Sequence, residues 1–222
     1  MKDLTSNCPK PMLLVRSKPI LEHTINNLKQ AGVTEIGINL HYLGDKIKNY
    51  FGNGEKFGVS IKYIYEKAPT GTAGGVKIFE DFLRGSGNFF VIYGDILTNQ
   101  SFKDFADYHS EKKATASIVV HKRKKSNSIV IVNQDNLVLE FIERPSEEEL
   151  LKHSEILVNS AIYCFNEEIL KEIPKLVTTD FPKDIFPSLV RKQQLFSFPL
   201  NGYRCAIDTP ERLEMANNEF VP

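Results

Sequence analysis

Four short segments place residues with chemical capacity where the chain is set to turn. Cys8-Pro9-Lys10-Pro11-Met12 holds a lysine between two prolines. Proline restricts the backbone on both sides, so the ammonium leaves a stiff stretch of chain and can be held toward a phosphate. Ala68-Pro69-Thr70-Gly71-Thr72-Ala73-Gly74-Gly75 is a glycine-rich turn leading into a helix. Backbone amides there can approach a nucleotide closely, and a helix start favours negative charge; a plain strand-to-helix turn uses the same residues. Tyr93-Gly94-Asp95 ends an apolar run with one carboxylate. Such a group holds Mg²⁺ when substrate phosphates complete the shell, or else caps a helix or turn. Phe141-Ile142-Glu143-Arg144-Pro145 ends another run with an acid and a base, which a surface ion pair also explains.

These segments need elements to position them, and the sequence alternates helical and strand signals. Leu21, Ile25 and Leu28 recur at helical spacing behind Pro19 and ahead of Gly32, a start and a stop for one helix. Glu35–Leu40 predicts a strand, Leu43–Phe51 a short amphipathic helix and Ser60–Tyr65 a further strand. A helix near Thr72–Phe82, a buried strand at Asn88–Tyr93 and a helix from Phe102 continue the rhythm. Alternation of this kind predicts a mostly parallel sheet flanked by helices, with ligands beyond the carboxyl ends of its strands. After residue 114 the strands crowd together (Thr115–His121, Ser128–Val132, Leu137–Glu143), a small antiparallel or mixed extension. Ile156–Phe165 is one more strand, Ile185–Lys192 a helix, Leu195–Pro199 a strand and Pro210–Phe220 a closing helix.

The 222 residues suffice for one large α/β domain, expected to run 1–222, with a nucleotide-binding part about 1–114 and a sugar-phosphate-binding part about 115–222. The 28 basic and 28 acidic side chains cancel, which argues against a nucleic-acid partner. The run Lys122–Lys125 (KRKK) is read as a solvated loop. No signal-peptide-like start and no long apolar stretch occurs, so a cytoplasmic protein with no membrane partner is expected. Cys8, Cys164 and Cys205 are an odd set without metal-ligand spacing and read as reduced packing residues.

In order, CPKPMLLVRSKPILEHTI (Cys8–Ile25), PTGTAGGV (Pro69–Val76), YGDIL (Tyr93–Leu97), FIERP (Phe141–Pro145), VNSAIY (Val158–Tyr163) and IDTPERLEMAN (Ile207–Asn217) resemble the sugar-1-phosphate nucleotidyltransferases, particularly the mannose- and heptose-1-phosphate guanylyltransferases. The resemblance implies a Rossmann-like nucleotidyltransferase fold and a reaction in which a sugar 1-phosphate attacks the α-phosphorus of a nucleoside triphosphate, GTP favoured, releasing pyrophosphate. Mg²⁺ is the implied cofactor. By the same resemblance Lys10 contacts phosphate near the reacting centre, Gly71, Thr72, Ala73 and Gly74 embrace base and ribose, and Asp95 binds the metal. Glu143 and Asn159 match positions that bind sugar hydroxyls, with Arg144 beside them on the sugar-phosphate side.

The pattern also departs from the family. Met1-Lys2-Asp3-Leu4-Thr5 aligns with the end of the opening signature GGxGTRLxPLT, so the phosphate loop and a central strand are expected to lie before Met1 or to be missing. A start assigned at an internal methionine is the preferred explanation. A chain truly beginning there would leave backbone groups unpaired in its sheet, at about 1–3 kcal/mol for each one buried. Ala206 stands where the family's second metal aspartate is expected, with Asp208 as a displaced candidate ligand, and Ser160-Ala161 replaces the glycine-containing step of NAGIY. These departures keep a catalytically silent regulatory or binding homologue open as an alternative. A metal-dependent glycosyltransferase ranks last, because Gly94-Asp95-Ile96-Leu97 lacks a second aspartate. Oligomeric state is left open.

Overall fold

A computed structural model describes residues 2–124, 126–152 and 155–222. Met1, which opens the aligned signature remnant, and Lys125 of the KRKK run lie outside the described residues. In chain order the elements begin with α1 (Lys2–Thr5), β1 (Leu14–Val15), β2 (Lys18–Pro19), α2 (Ile20–Gln30), β3 (Glu35–Leu40), α3 (Gly44–Phe51) and β4 (Ser60–Tyr65). They continue with α4 (Gly71–Lys77), α5 (Glu80–Leu83), β5 (Asn88–Ile92), β6 (Ile96–Thr98), α6 (Phe102–Lys112), β7 (Ala116–Arg123), β8 (Ser128–Val132) and β9 (Val138–Glu143). The chain closes with α7 (Glu147–Leu151), β10 (Ile156–Asn166), α8 (Ile169–Glu172), α9 (Phe186–Arg191), β11 (Leu195–Pro199), β12 (Arg204–Ala206) and α10 (Pro210–Glu219).

The chain divides into two compact units, one of residues 1–69, 93–104 and 201–222, the other of 70–92 and 105–200. In the first, β3 and β4 pair in parallel, residue for residue from Glu35–Ser60 to Leu40–Tyr65. Ile25 of α2 and Ile47 and Phe51 of α3 pack with Leu40, Val59 and Ile61 into one apolar cluster. A second cluster joins Leu13, Val15, Ile20, Leu97, Cys205, Ile207, Ala216 and Phe220. It is closed by a two-stranded antiparallel pair, β6 with β12, that sequence periodicity does not show because each strand has only three residues.

The second unit is built on β10, an 11-residue strand that is buried over most of its length. β7 runs antiparallel along one side of it, and β8 and β5 pair with other portions, at Leu157 and at Ile162–Asn166. β9 extends the sheet from β8, and β11 adds to β7 in parallel. The sheet is therefore mixed, as expected. Its antiparallel share is larger than the alternation of elements suggests, because among the described residues only β3–β4 and β7–β11 are parallel pairs. Strand direction depends on which partners a strand meets across the chain, which periodicity does not record.

The helix expected over Thr72–Phe82 is broken in two. Phe79 N–H bonds back to Val76 O at 2.9 Å, a tightened turn that buries Phe79 (4% exposed) before the chain re-enters helix at Glu80. Two successive glycines, Gly74 and Gly75, weaken the first segment. Beneath the sheet Tyr163, Phe165, Phe181 and Phe186 form an aromatic core with ring centroids 4.7–6.5 Å apart, in the edge-on and offset range that aromatic pairs favour.

Candidate functional site

Lys10 opens a single 3₁₀ turn (Lys10–Met12) fixed by Met12 N–H to Pro9 O at 2.8 Å and Leu13 N–H to Lys10 O at 3.0 Å. Pro11 packs against the Tyr93-Gly94-Asp95 turn. A Cβ on Gly94 would stand 3.0 Å from Pro11 Cγ, so a side chain there would have to displace the proline ring by a few tenths of an ångström. The result is an ion pair, Lys10 Nζ to Asp95 Oδ2 at 3.5 Å, with the two side chains 41% and 30% exposed. It is loose and wetted, and either charge can be shared with an incoming group at little desolvation cost.

The Asp95 backbone is stitched to the segment carrying the other candidate acid. Ile207 N–H donates to Asp95 O at 2.9 Å, extending the β6–β12 pairing. Asp208 is already engaged, since Arg212 Nη1 lies 2.9 Å from each of its carboxylate oxygens. Arg212 also reaches Ala206 O at 3.4 Å, so at the position where the resemblance implies a second carboxylate the chain offers a methyl group and a backbone carbonyl shared with Arg212. Among the described residues no three His, Cys, Asp or Glu side chains are grouped to hold a metal ion. A magnesium ion that arrives with a triphosphate needs only one or two protein carboxylates, and Asp95 fits that requirement.

The remaining candidates lie in the second unit. Gly71 has φ +81°, and a Cβ there would stand 2.4 Å from Thr179 O. Only glycine lets the turn close this tightly. Ala73 and Gly74 donate to Thr179 O at 2.9 and 3.1 Å, and Thr72 donates to Asp180 Oδ1 through both N–H (2.8 Å) and hydroxyl (3.0 Å). The helix start that a sequence reading offers to an anion is thus occupied by the chain's own carbonyl and carboxylate. Ala73 and Gly74 are buried, so what the turn leaves available is the half-buried pair Gly71 and Thr72.

Glu143 pairs across the ladder with Ser128, whose Oγ accepts from Asn159 N–H at 3.0 Å, so the two candidate sugar ligands sit on strands joined through one serine. Burial raises the Glu143 carboxyl above its ordinary range, with Arg144 opposing and Asp180 adding to the shift. Arg144 leaves the strand end with φ +55° and its N–H on Asn127 O at 2.8 Å. Asn159 spans a bulge in β10. Its Oδ1 accepts from Ala161 N–H (3.0 Å) and its Nδ2 donates to Tyr163 Oη (2.8 Å). Ala161, at φ +59°, holds the left-handed position of that bulge, and Ser160 Oγ lies 2.8 Å from His121 Nδ1.

The sequence profile of the Nucleotidyl transferase family matches residues 1–216. This chain belongs to that family. Among its relatives, a mannose-1-phosphate guanyltransferase from Candida albicans is 31% identical over 220 residues, covering 95% of this chain and 58% of its own length. A UTP--glucose-1-phosphate uridylyltransferase from Synechocystis sp. is 32% identical over 205 residues, covering 86% of this chain and 52% of its own length. The chain therefore spans a little over half the length of these relatives. A Bacillus anthracis structure assigned as a glucose-1-phosphate thymidylyltransferase superposes with TM-score 0.86 at 22% identity over 98% of this chain and 89% of that one. HddC from Yersinia pseudotuberculosis gives 0.79 at 22% over 97% and 91%. Both likenesses show a shared fold.

Within this chain, Asp180, Ser128 and His121 touch candidate site residues or their neighbours, and none stood out in the sequence. Each acts through a partner far away in the chain, Thr72 in the case of Asp180, a separation of 108 residues. The described residues include no helix long and apolar enough to cross a membrane. The three cysteines are free, and Lys122 of the basic run is paired with Glu155 at 2.7 Å.

Proposed function

We propose that this chain joins a nucleoside triphosphate to a sugar 1-phosphate, releasing pyrophosphate, with GTP and a mannose- or heptose-type sugar 1-phosphate as its substrates. The observation that carries the reading is the Lys10–Asp95 pair on a proline-stiffened turn at 3.5 Å. The guanyltransferase names of several relatives support the choice of base, and the uridylyltransferase among them is the competing choice.

The reaction breaks the bond between the α- and β-phosphates as a sugar-phosphate oxygen bonds to the α-phosphorus, and the electron pair leaves with pyrophosphate. Negative charge grows on the leaving oxygens, and the protein's task is to meet it with fixed positive charge. Lys10 supplies that charge from a backbone that cannot swing away. Asp95 is the residue that would hold Mg²⁺, which when bound offsets triphosphate charge. Base and ribose rest on the half-buried Gly71 and Thr72, with the buried Ala73 and Gly74 shaping the turn behind them. Glu143 and Arg144 address the sugar phosphate, the carboxylate through hydroxyls and the guanidinium through phosphate, while Asn159, bonded to Ala161 and Tyr163, has one amide hydrogen left for a sugar hydroxyl.

Pyrophosphate release tests the reading, with GTP plus mannose 1-phosphate run against UTP plus glucose 1-phosphate. Faster release with the first pair supports it, and faster release with the second moves the base assignment to uridine. A second reading, nucleotide binding without turnover, draws on Ala206 and on the capture of Asp208 by Arg212. Nucleotide binding without pyrophosphate from any pair favours it.

A further inference from the structure

The turn read as the nucleotide loop is held by one side chain from a distant segment. Asp180 Oδ1 accepts two hydrogen bonds from Thr72, from its N–H at 2.8 Å and its hydroxyl at 3.0 Å. The same hydroxyl accepts from Phe181 N–H at 3.0 Å, and Thr179 exchanges backbone bonds with Thr70, Ala73 and Gly74 at 2.9–3.1 Å. Asp180 is itself held, its N–H donating to Asp184 Oδ2 at 2.7 Å. Phe181, the next residue, is fully buried in the aromatic core against Tyr163 and Phe165, on the strand that carries Asn159. One acidic residue thus lies between the glycine turn and the β10 scaffold.

We propose that Asp180 is a positioning residue that latches the Gly71–Gly74 turn to the scaffold of the sugar-phosphate residues, so that the two substrate-binding parts of this unit are set together. The inference rests on reading that turn as nucleotide-binding. Two features favour a latch over ordinary loop packing. The bonds to Thr72 converge on one oxygen of a charged acceptor, the stronger kind of hydrogen bond, and Gly71 is pressed so close to Thr179 that the turn has little freedom to find another seat. The Asp180 charge is also felt at Glu143, whose other charged neighbour is Arg144. A change at Asp180 therefore reaches the sugar side as well as the turn.

Asp180→Ala and Asp180→Asn separate the latch from mere stability. The asparagine keeps an acceptor oxygen for Thr72 and removes the charge; the alanine removes both. Two readouts are taken on the full chain: amide hydrogen exchange of residues 70–75, and equilibrium titration with GTP and with UTP in the presence of Mg²⁺. Asp180→Ala is expected to speed exchange in the turn and to weaken nucleotide binding about tenfold, the cost of one to two net hydrogen bonds. Asp180→Asn is expected to restore most of both. Exchange in Asp180→Ala equal to wild type overturns the latch even if no nucleotide binds. Faster exchange with unchanged nucleotide affinity overturns the coupling of turn to substrate. Wild type that binds neither nucleotide while its turn amides stay protected removes the nucleotide reading and with it the substrate role, leaving a structural clasp alone. If Asp180→Ala does not fold, Asp180→Asn against Thr72→Val, which deletes the hydroxyl and keeps the N–H, gives the same contrast. Equal nucleotide affinity in both, matching wild type, overturns the proposal.

Discussion

The Lys10–Asp95 region and the Gly71–Gly74 region treat their polar groups in opposite ways. In the first, backbone bonds and a proline fix the chain, and the charged tips are left 3.5 Å apart and substantially exposed. In the second, the amides at the start of α4 and the Thr72 hydroxyl are consumed by Thr179 and Asp180. The contrast teaches how to separate residues that act from residues that position. A group able to meet a substrate's charge is held by its backbone and free at its tip. A group whose hydrogen bonds are already made shapes the surface on which a substrate rests. Asp208 falls with the second kind because Arg212 holds both its oxygens, and the proposed metal role puts Asp95 with the first.

The largest effect expected from this contrast is at Asp95. Asp95→Asn should cut turnover by about 100-fold or more with little change in melting temperature, since the side chain is only partly buried, its ion pair is long and asparagine keeps its shape. Wild-type rates would remove it from the acting group. Lys10→Ala should lower turnover by about tenfold or more, mainly in kcat. A change confined to the KM for the sugar phosphate would place Lys10 with the binding residues instead.

Gly71→Ala tests the positioning region. The added Cβ meets Thr179 O at 2.4 Å in a backbone conformation alanine adopts at a cost, so chemical denaturation should show a loss of about 2–3 kcal/mol. Unchanged stability would mean the turn is not clamped.

A smaller effect is expected from acid. Burial lowers the His109 pKa to about 4, and its Nε2 has no hydrogen-bond partner, while Nδ1 is 2.8 Å from Ser117 Oγ. Between pH 6.5 and about 4 the unfolded chain binds a proton there and the folded chain does not, so this residue's contribution to stability falls as pH falls through that window. His109→Gln should flatten the slope of unfolding free energy against pH over the same interval. The smallest effect is Ala161→Gly, which relieves the left-handed bulge position at φ +59° and should raise stability by about 0.5–1 kcal/mol in a thermal melt. A loss would show that the Ala161 methyl contributes more by packing than its backbone costs.

Much of the architecture was legible in local patterns. Glu35–Leu40, Ser60–Tyr65, Ser128–Val132 and Leu195–Pro199 are strands over the residues the sequence marks, because alternating burial in the first and last and the β-branched isoleucines and valines of the middle two act within a few residues. The β6–β12 pair, the break at Ile78–Phe79 and the predominance of antiparallel pairing were not legible. The first and last are settled by contacts between distant segments, as Cys205 with Leu97 shows, and the break by a local turn, Phe79 N–H on Val76 O, behind two weakening glycines. The same division runs through the candidate site. Lys10, Asp95 and Glu143 announce themselves by residue type at strand ends and turns. Asp180 has no local signature, and only its contact with Thr72 gives it meaning.

The central claim is nucleotidyl transfer to a sugar 1-phosphate, and its most direct test is pyrophosphate release by the protein isolated from its native source, at whatever length the cell makes it. With GTP, mannose 1-phosphate and Mg²⁺, the account predicts pyrophosphate formed one-for-one with nucleotide sugar, and nearly none from the Asp95→Asn protein under the same conditions. Absence of pyrophosphate with every nucleotide and sugar phosphate pair, or equal release from the variant, would contradict it.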